Sequence, residues 1–422
     1  MYRISNNLLS NNFLFNINRH ENQMSDIQKK IGSQREILLP SDDPVATTEY
    51  MSQRSRLSDI ERYRRGIDLS KGRIDTTEAK LRDINELLKR AKELSVQAAN
   101  GVYTAEDRQK IGVEIDQILE EVVQIANTKY KGESLFGGTI TDEEAFKVST
   151  SKIIDPTTGN VIYGKESISK VEYQGDIYSK YFEVGRGEYI ASNIPGSNAF
   201  WASNQVITSN TPGTGYIATK DQTIRIDGVE IQIKQGDNIN SIVQKINSAN
   251  LNVRAEVDNT TGQNLLILRT TVPHQMYLED LGGGTVLQDL GVLSSSVSKP
   301  PYNYAPSASV YGETVFDVLI GLRNSLYKND IEGINRSIGG IDQSISSVLD
   351  NLAYAGSIQR RIEDTQNRLS AQEMYAKDII NRINGLDMAK AVTDLKNIET
   401  EYNAALQIGA RIIPKTLLDY LR

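Results

Sequence analysis

Ile334-Asn-Arg-Ser-Ile-Gly-Gly-Ile-Asp-Gln-Ser-Ile-Ser-Ser-Val-Leu-Asp-Asn-Leu-Ala-Tyr-Ala355 sets apolar residues at Ile334, Ile338, Ile341, Ile345, Val348, Leu352 and Ala355, in alternating steps of four and three. That alternation lays one apolar stripe along one side of a helix, the seam of a coiled coil. The stripe runs on through Ile358, Ile362, Thr365, Leu369, Gln372, Ala376, Ile379, Ile383 and Leu386, with one phase slip near Ala355 that would alter the winding locally. At 1.5 Å per residue, a helix of about fifty residues is about 75 Å long. The spacing predicts a rod.

Similar stripes lie on either side. Val315, Leu319, Leu322 and Leu326 mark a helix just before, and Ile67, Ile74, Leu81 and Leu88 repeat at sevens near the start. After the Asn100-Gly101 turn, Thr104 with Asp107 reads as a capping box opening a helix that carries Ile111, Ile115, Ile118, Val122 and Ile125. The rod core is therefore expected at Ile67, Ile74, Leu81, Leu88, Ile115, Ile118, Val122, Ile338, Ile341, Ile345 and Leu352. Two more seams sit almost at the ends. Phe13, Ile17, His20, Met24, Ile27 and Ile31 form one; Ala391, Leu395, Ile398, Tyr402, Ala405, Gly409 and Ile412 form the other. Such ends find each other or find neighbouring copies, which points to assembly.

Proline separates these helices from the middle. Seven of the ten prolines lie from Pro156 to Pro306, and none falls between Val45 and Asp155 or between Ser307 and Ile413. Within the middle the period changes to two. Ile224 and Ile226, then Asp227-Gly228, then Val229, Ile231 and Ile233 read as a hairpin. Ile239, Ile242, Val243 and Ile246 are helical; Val253, Ala255, Val257 and Leu265–Leu268 alternate again, giving a β-β-α-β-β unit over 223–270. Tyr173, Tyr178, Tyr181 and Tyr189 suggest short strands before it. The fold class is mainly α: a long antiparallel coiled-coil rod made from both termini, with an inserted β-rich, α+β middle domain. The expected divisions are 1–40 with 387–422 as terminal helices, 41–140 with 305–386 as the rod, and 141–304 as the insertion.

With 422 residues and a net charge of −7, the chain can hold several cores and offers no basic face for nucleic acid. The run Arg62-Tyr-Arg-Arg65 reads as one solvated helix face. There is no cysteine, hence no disulfide or thiolate site. No segment approaches the roughly 20 apolar residues that span a bilayer, and the first residues lack the pattern of a cleavable signal. Catalysis finds little material. Only two histidines occur, which excludes a multi-histidine metal site. His20 holds a packing position in the first seam, and His274, after Pro273, reads as a solvated loop residue. Gly282-Gly-Gly284 lacks the Lys-Ser/Thr of a phosphate loop, and Gly185-Arg-Gly187 lacks a third glycine. No catalytic residue, cofactor site or metal site is expected.

Several strings resemble the bacterial flagellin superfamily: Pro40-Ser-Asp-Asp-Pro44, Glu93-Leu-Ser-Val-Gln-Ala-Ala-Asn-Gly101, and Ile111 to Tyr130. The unit over 223–270 is similar to the small repeat in the variable region of flagellins and hook proteins. Within the superfamily, Gly132-Glu-Ser-Leu-Phe-Gly-Gly-Thr139 with Phe146, Tyr173-Gln-Gly-Asp176, Asn193-Ile-Pro-Gly-Ser-Asn-Ala-Phe200, Leu386 to Leu395 and Thr416-Leu-Leu-Asp-Tyr-Leu421 resemble the hook-associated protein 3 family of hook–filament junction proteins. The pattern departs at Ile412-Ile-Pro414, where proline must bend the last helix.

The resemblance implies a non-enzymatic structural ring between hook-associated protein 1 and flagellin, made of like copies. It implies export without a cleavable signal, guarded by a cytoplasmic export chaperone, to a flagellum that is extracellular or periplasmic. Subunit assembly is expected to use Phe13, Ile17, Met24, Ile27, Ile31, Leu395, Ile398, Tyr402 and Ile412. Chaperone binding is expected at Ile398, Tyr402, Leu406 and Ile413, close together on the last helix. Residues before about Pro40 and after about Leu386 are expected to be mobile in the monomer and ordered on assembly. A filament flagellin is the rival reading, and a surface adhesin displaying the β-rich domain is a rival of another class.

Overall fold

The computed structural model describes residues 6–154, 161–260, 262–294 and 300–412. The chain forms two compact units, residues 1–65 with 365–422 and residues 66–364. It is mainly α with a β-rich insertion, as the periodicity predicts.

In the first unit, α1 (Asn6–Ser33) packs along α9 (Met388–Ile412). The unit also holds the beginning of α2 (Pro44–Ala99) and the end of α8 (Ile331–Asn384). The string Pro40–Pro44 is a double cap. Asp42 accepts from the backbone N–H of Leu38 and Leu39 at 3.1 and 2.8 Å, closing the turn. Asp43 accepts from Val45 and Ala46 at 3.1 and 2.9 Å, so Asp43 is the N-cap of α2 and Pro44 stands at its first position. The turn is tied to the end of α8 by Asn384, whose side chain accepts from Ile37 N–H at 2.7 Å. Asp387 caps α9 by accepting from Lys390 N–H at 3.1 Å.

The second unit contains the rest of α2 and α8 with α3 (Ala105–Ala126) and α7 (Val315–Lys328). The capping box read at Thr104 and Asp107 is present, and an equivalent one at Thr314 and Asp317 opens α7. Lys92 pairs with Asp342 at 2.7 Å while Gln359 reaches Asp75 at 3.0 Å, so α2 and α8 run antiparallel here. Burial follows strict sevens. On α2 one buried row is Ile60, Ile67, Ile74, Leu81, Leu88 and Ser95, and the other is Ser70, Thr77, Ile84, Ala91 and Ala98. The polar members satisfy themselves: Ser70 donates to Gly66 O at 3.0 Å and Thr77 to Arg73 O at 2.9 Å, leaving short side chains in the seam.

On α8 the buried row is Ile334, Ile341, Val348, Ala355, Ile362, Leu369 and Ala376, without interruption at Ala355. The expected phase slip is therefore not in the main seam. It marks only where apolar identity changes flank, because the buried row beside the seam runs on one side through Ser344, Ile358 and Thr365. Ile338, Ile345 and Leu352 are only half-buried, a correction to their reading as core. The remaining rod-core residues, Ile67, Ile74, Leu81, Leu88, Ile115, Ile118, Val122 and Ile341, are buried.

The insertion begins with β1 (Lys129–Tyr130) and β2 (Glu133–Ser134), then the long hairpin of β3 (Phe146–Ile154) and β4 (Val161–Tyr173). A second hairpin, β5 (Tyr181–Gly185) with β6 (Glu188–Ala191), and the turn α4 (Gly196–Ala199) follow. Beyond them come β7 (Val206–Thr208), β8 (Gln222–Ile226), β9 (Val229–Ile233), α5 (Ile239–Ser248), β10 (Val253–Asp258), β11 (Leu265–Thr270), β12 (Leu278–Leu281), α6 (Val286–Asp289) and β13 (Ser309–Tyr311). The β-β-α-β-β order over 223–270 is present. Its hairpins, however, lie in different sheets: β12-β8-β9 and β10-β11-β7-β13. Asp227 and Gly228, at φ 47° and 83°, make the two-residue turn, which fixes β8–β9 locally. Which sheet a hairpin joins is non-local, decided by one shared core that includes Ile224, Ile233, Ile242, Ile246, Leu266 and Leu268.

Candidate assembly site

The terminal seams meet within the chain. Gly409 of α9 is buried against Phe13 of α1: a Cβ at Gly409 would stand 2.0 Å from Phe13 Cζ. The small residue lets the ring lie on the helix backbone. Ile17 is buried, and Phe13, Met24, Ile27 and Ile31 are half-buried. On α9, Ala391 is buried and Leu395, Ile398, Tyr402 and Ala405 are half-buried. His20 keeps the packing position read for it, with Nδ1 3.7 Å from Glu401 Oε2. Ile412 ends the described helix, its side chain outside the described residues, as are Ile413, Pro414 and Thr416–Leu421.

A second apolar set points away from this seam. Leu14 and Phe15 on α1 are 53% and 68% exposed, and Val392, Leu406 and Ile408 on α9 are 53%, 43% and 56% exposed. Sequence reasoning missed four of these five. The signal was present in their spacing: on a helix Phe15 lies about 200° round from Phe13, so one apolar face cannot hold both. The terminal pair thus has one occupied stripe and exposed apolar residues on more than one side of it. Of the expected chaperone-binding residues, Leu406 is exposed, whereas Ile398 and Tyr402 are half-buried in the occupied stripe.

The strings Gly132–Thr139, Tyr173–Asp176 and Asn193–Phe200 come together as one knot in the second unit. Phe136 meets Phe200 edge-on with centroids 5.0 Å apart, and Phe146 stands 5.1 Å from Tyr173 and 4.8 Å from Phe200. Phe316 of α7 closes the cluster, stacked on Phe200 at 5.3 Å. Gly196 N–H donates to Phe136 O at 2.7 Å, Tyr173 O–H donates to the same carbonyl at 2.9 Å, and Asn193 donates to Gly138 O at 2.9 Å. Gly196 has no room for a side chain: a Cβ would stand 2.6 Å from Tyr173 and 2.8 Å from Phe146. Burial pushes the Tyr173 hydroxyl well up, so it stays a donor.

Two ionisable groups are also buried in this unit. Arg323, 1% exposed, reaches Asp116 at 2.7 Å and bridges α7 to α3. His274 does not lie in solvent, contrary to its sequence reading. It is 7% exposed, with Nε2 2.9 Å from Asp227 Oδ2 and Nδ1 2.9 Å from Val272 O. Both neighbours are acceptors, so the ring is fully satisfied only as the imidazolium. Burial lowers its pKa, but the Asp227 hydrogen bond and charge, with the Val272 carbonyl, outweigh it and the net shift is upward. Sequence separation of 47 residues hid this pair. Among the described residues no group of three or more His, Cys, Asp or Glu could hold a metal, and no helix is long and apolar enough to cross a membrane.

Residues 4–141 match the family model for the bacterial flagellin N-terminal helical region, 338–421 that for the bacterial flagellin C-terminal helical region, and 214–271 the flagellin hook IN motif. A flagellin of Clostridium tyrobutyricum is 22% identical over 404 residues, 93% of each chain. The flagellar filament core protein flaB2 of Brachyspira hyodysenteriae is 48% identical over 54 residues, 13% of this chain and 19% of that one. Among solved structures, the fold is similar to flagellar hook associated protein-3 of Legionella pneumophila (16% identity, 79% of this chain, 98% of that one, TM-score 0.46). It is also similar to a putative flagellar hook-associated protein of Vibrio parahaemolyticus (15% identity, 82% and 100%, TM-score 0.47).

Proposed function

This chain belongs to the bacterial flagellin superfamily and is a structural component of the bacterial flagellum, and from that premise we propose that it forms the ring joining hook to filament. The observation that carries the reading is the aromatic knot. The strings that resemble the hook-associated family are not scattered surface motifs. They interlock through Phe136, Phe146, Tyr173, Gly196 and Phe200 where the insertion leaves the helices.

In this reading the chain is not an enzyme and needs no cofactor. Its partners are hook-associated protein 1 on one side, flagellin on the other, and like copies within the ring. The residues before Pro40 and after Leu386 form the inner tube, 41–140 with 305–386 the rod wall, and 141–304 the outer domain. The exposed Leu14, Phe15, Val392, Leu406 and Ile408 would be covered by neighbours on more than one side, and the occupied seam from Phe13 to Ile31 and Leu395 to Ile412 would hold each subunit's ends in register. Each apolar side chain so covered contributes about 1.5–3 kcal/mol. Subunit addition is then strongly favourable while the lone terminal pair stays marginal.

The test is deletion of the gene with microscopy and assay of the medium. A junction role expects intact hooks, no filaments and unpolymerised flagellin outside the cell. Filaments of normal length on the deletion strain would end the proposal. The rival, a filament flagellin, is favoured by the name of the relative that matches 93% of the chain. It expects long filaments from the purified protein alone.

Before assembly, Ile398, Tyr402, Leu406 and Ile413 would lie in the groove of an export chaperone, with α9 released from α1. The double substitution Tyr402→Asp and Leu406→Asp should abolish capture by that chaperone in pull-down; undiminished capture dismisses this part.

A further inference from the structure

Five segments distant in sequence, one of them at Ile140, line one cleft of about 550 Å³ in the second unit. Asp176 and Tyr178 follow β4, Arg225 and Gly228 belong to the β8–β9 hairpin, Tyr277 and Glu279 lie at the head of β12, and Tyr302 follows Pro300-Pro301. The volume is that of a small-ligand site. None of these residues belongs to the terminal seams, and the cleft shares one wall residue, Tyr173, with the aromatic knot.

Three tyrosines, Tyr178, Tyr277 and Tyr302, line the cleft beside Tyr173. Tyr277 O–H donates to Gly175 O, and Tyr302 O–H donates to Tyr173 O at 3.0 Å, so both hydroxyls are spent on the wall and both rings are held in place. Tyr178 and Tyr302 remain 46% and 42% exposed. Tyr178 lies across the turn at Gly228: a Cβ there would stand 3.1 Å from its Cε1, and the glycine φ of 83° is one that side chains disfavour.

The polar groups are equally fixed. Arg225 is held by Glu279 at 3.1 Å and Glu230 at 2.7 Å, which uses part of its five-donor fork. Asp176 accepts from the N–H of Thr139 at 2.8 Å and of Tyr178 at 3.0 Å. Two carboxylates against one guanidinium make the lining acidic by one charge, which disfavours phosphate, sulfate and carboxylate ligands. The guanidinium in the same wall disfavours a cation. What remains is a neutral ligand with a flat apolar face and a rim of hydroxyls.

We propose that this cleft binds neutral saccharides, a pyranose ring stacking on Tyr178 and Tyr302 while Arg225 and Glu279 hydrogen-bond its hydroxyls. This activity is additional to the junction role, and the two stand or fall separately.

The experiment is saturation-transfer NMR and titration calorimetry on the full chain with maltose, lactose, diacetylchitobiose, sialyllactose and tetramethylammonium. At least one neutral disaccharide should bind, with lactose favoured over sialyllactose if lactose is the ligand. Tyr178→Ala should weaken that binding by roughly tenfold or more, equivalent to about 1.4 kcal/mol, while Tyr178→Phe keeps it. Tyr178 is nearly half exposed, so its removal should leave the thermal melt unchanged; Tyr302→Ala is the second variant. No binding by any neutral disaccharide overturns the proposal. So does unchanged binding by Tyr178→Ala, or a preference for tetramethylammonium, which would mark an aromatic cation site instead.

Discussion

The two units use the same apolar alphabet to opposite ends. In residues 66–364, Phe136, Phe146, Phe200, Phe316 and the sevenfold rows of α2 and α8 are sealed from water. In residues 1–65 with 365–422, the α1–α9 pair buries Ile17, Ala391 and Gly409 yet leaves Phe15 68% exposed. The first arrangement closes its aromatic knot within the unit, although Tyr181, Ile217 and Tyr311 on its surface are exposed as well. The second has an apolar surface that folding alone does not satisfy, as expected of elements whose stability comes from packing against something else.

The sharpest way to break this contrast is to truncate an aromatic in each. Phe200→Ala should cost about 3–5 kcal/mol in the unfolding of the second unit, because the neighbouring rings cannot collapse into the space. Phe13→Ala should leave that transition within about 0.5 kcal/mol. Urea titration followed by circular dichroism measures both; an equal loss would mean that the terminal pair is as integral as the knot.

Two glycines sharpen it further. Gly196→Ala and Gly409→Ala both introduce a Cβ well inside contact distance of an aromatic ring. At Gly196 the rings of Tyr173 and Phe146 are locked, and overpacking should cost about 1–3 kcal/mol. At Gly409 the obstacle is the far end of the half-buried Phe13, which can swing aside, and the helix gains about 1 kcal/mol of propensity. The net effect there should be near zero. A melt of Gly409→Ala as depressed as that of Gly196→Ala would contradict it.

The smallest effect concerns pH. The His274 pKa is raised in the folded chain, so its stabilising contribution is complete below the unfolded value of about 6.5 and is lost as pH rises through the folded value. Stability of the second unit should therefore fall as pH rises above about 6.5, and His274→Asn should flatten that slope. A profile identical in both proteins would show that the Asp227 pair does not contribute.

Much of the helical framework was legible because its determinants are local. Caps at Thr104 and Asp107, the prolines, and the spacing of Ile334 to Ala376 each act within a few residues. Errors arose where geometry depended on distant partners. The half-buried Ile338, Ile345 and Leu352 obey the same spacing as true core residues, and only the neighbouring helices decide which row is covered. His274 looked solvated because its acceptor lies in the distant β8–β9 turn.

The assembly site divides along the same line. The amino-acid sequence by itself determined that both ends carry amphipathic stripes, that the middle is β-rich, and that a two-residue turn at Asp227-Gly228 makes a hairpin, since periodicity and turn chemistry are properties of adjacent residues. Only the tertiary structure decided that the terminal stripes are spent on each other, that Leu14, Phe15, Val392, Leu406 and Ile408 stay open, and that three short strings close into one aromatic knot. Those outcomes follow from competition among surfaces far apart in the chain. That competition is settled by which pairing removes the most apolar area from water, and no local pattern records it.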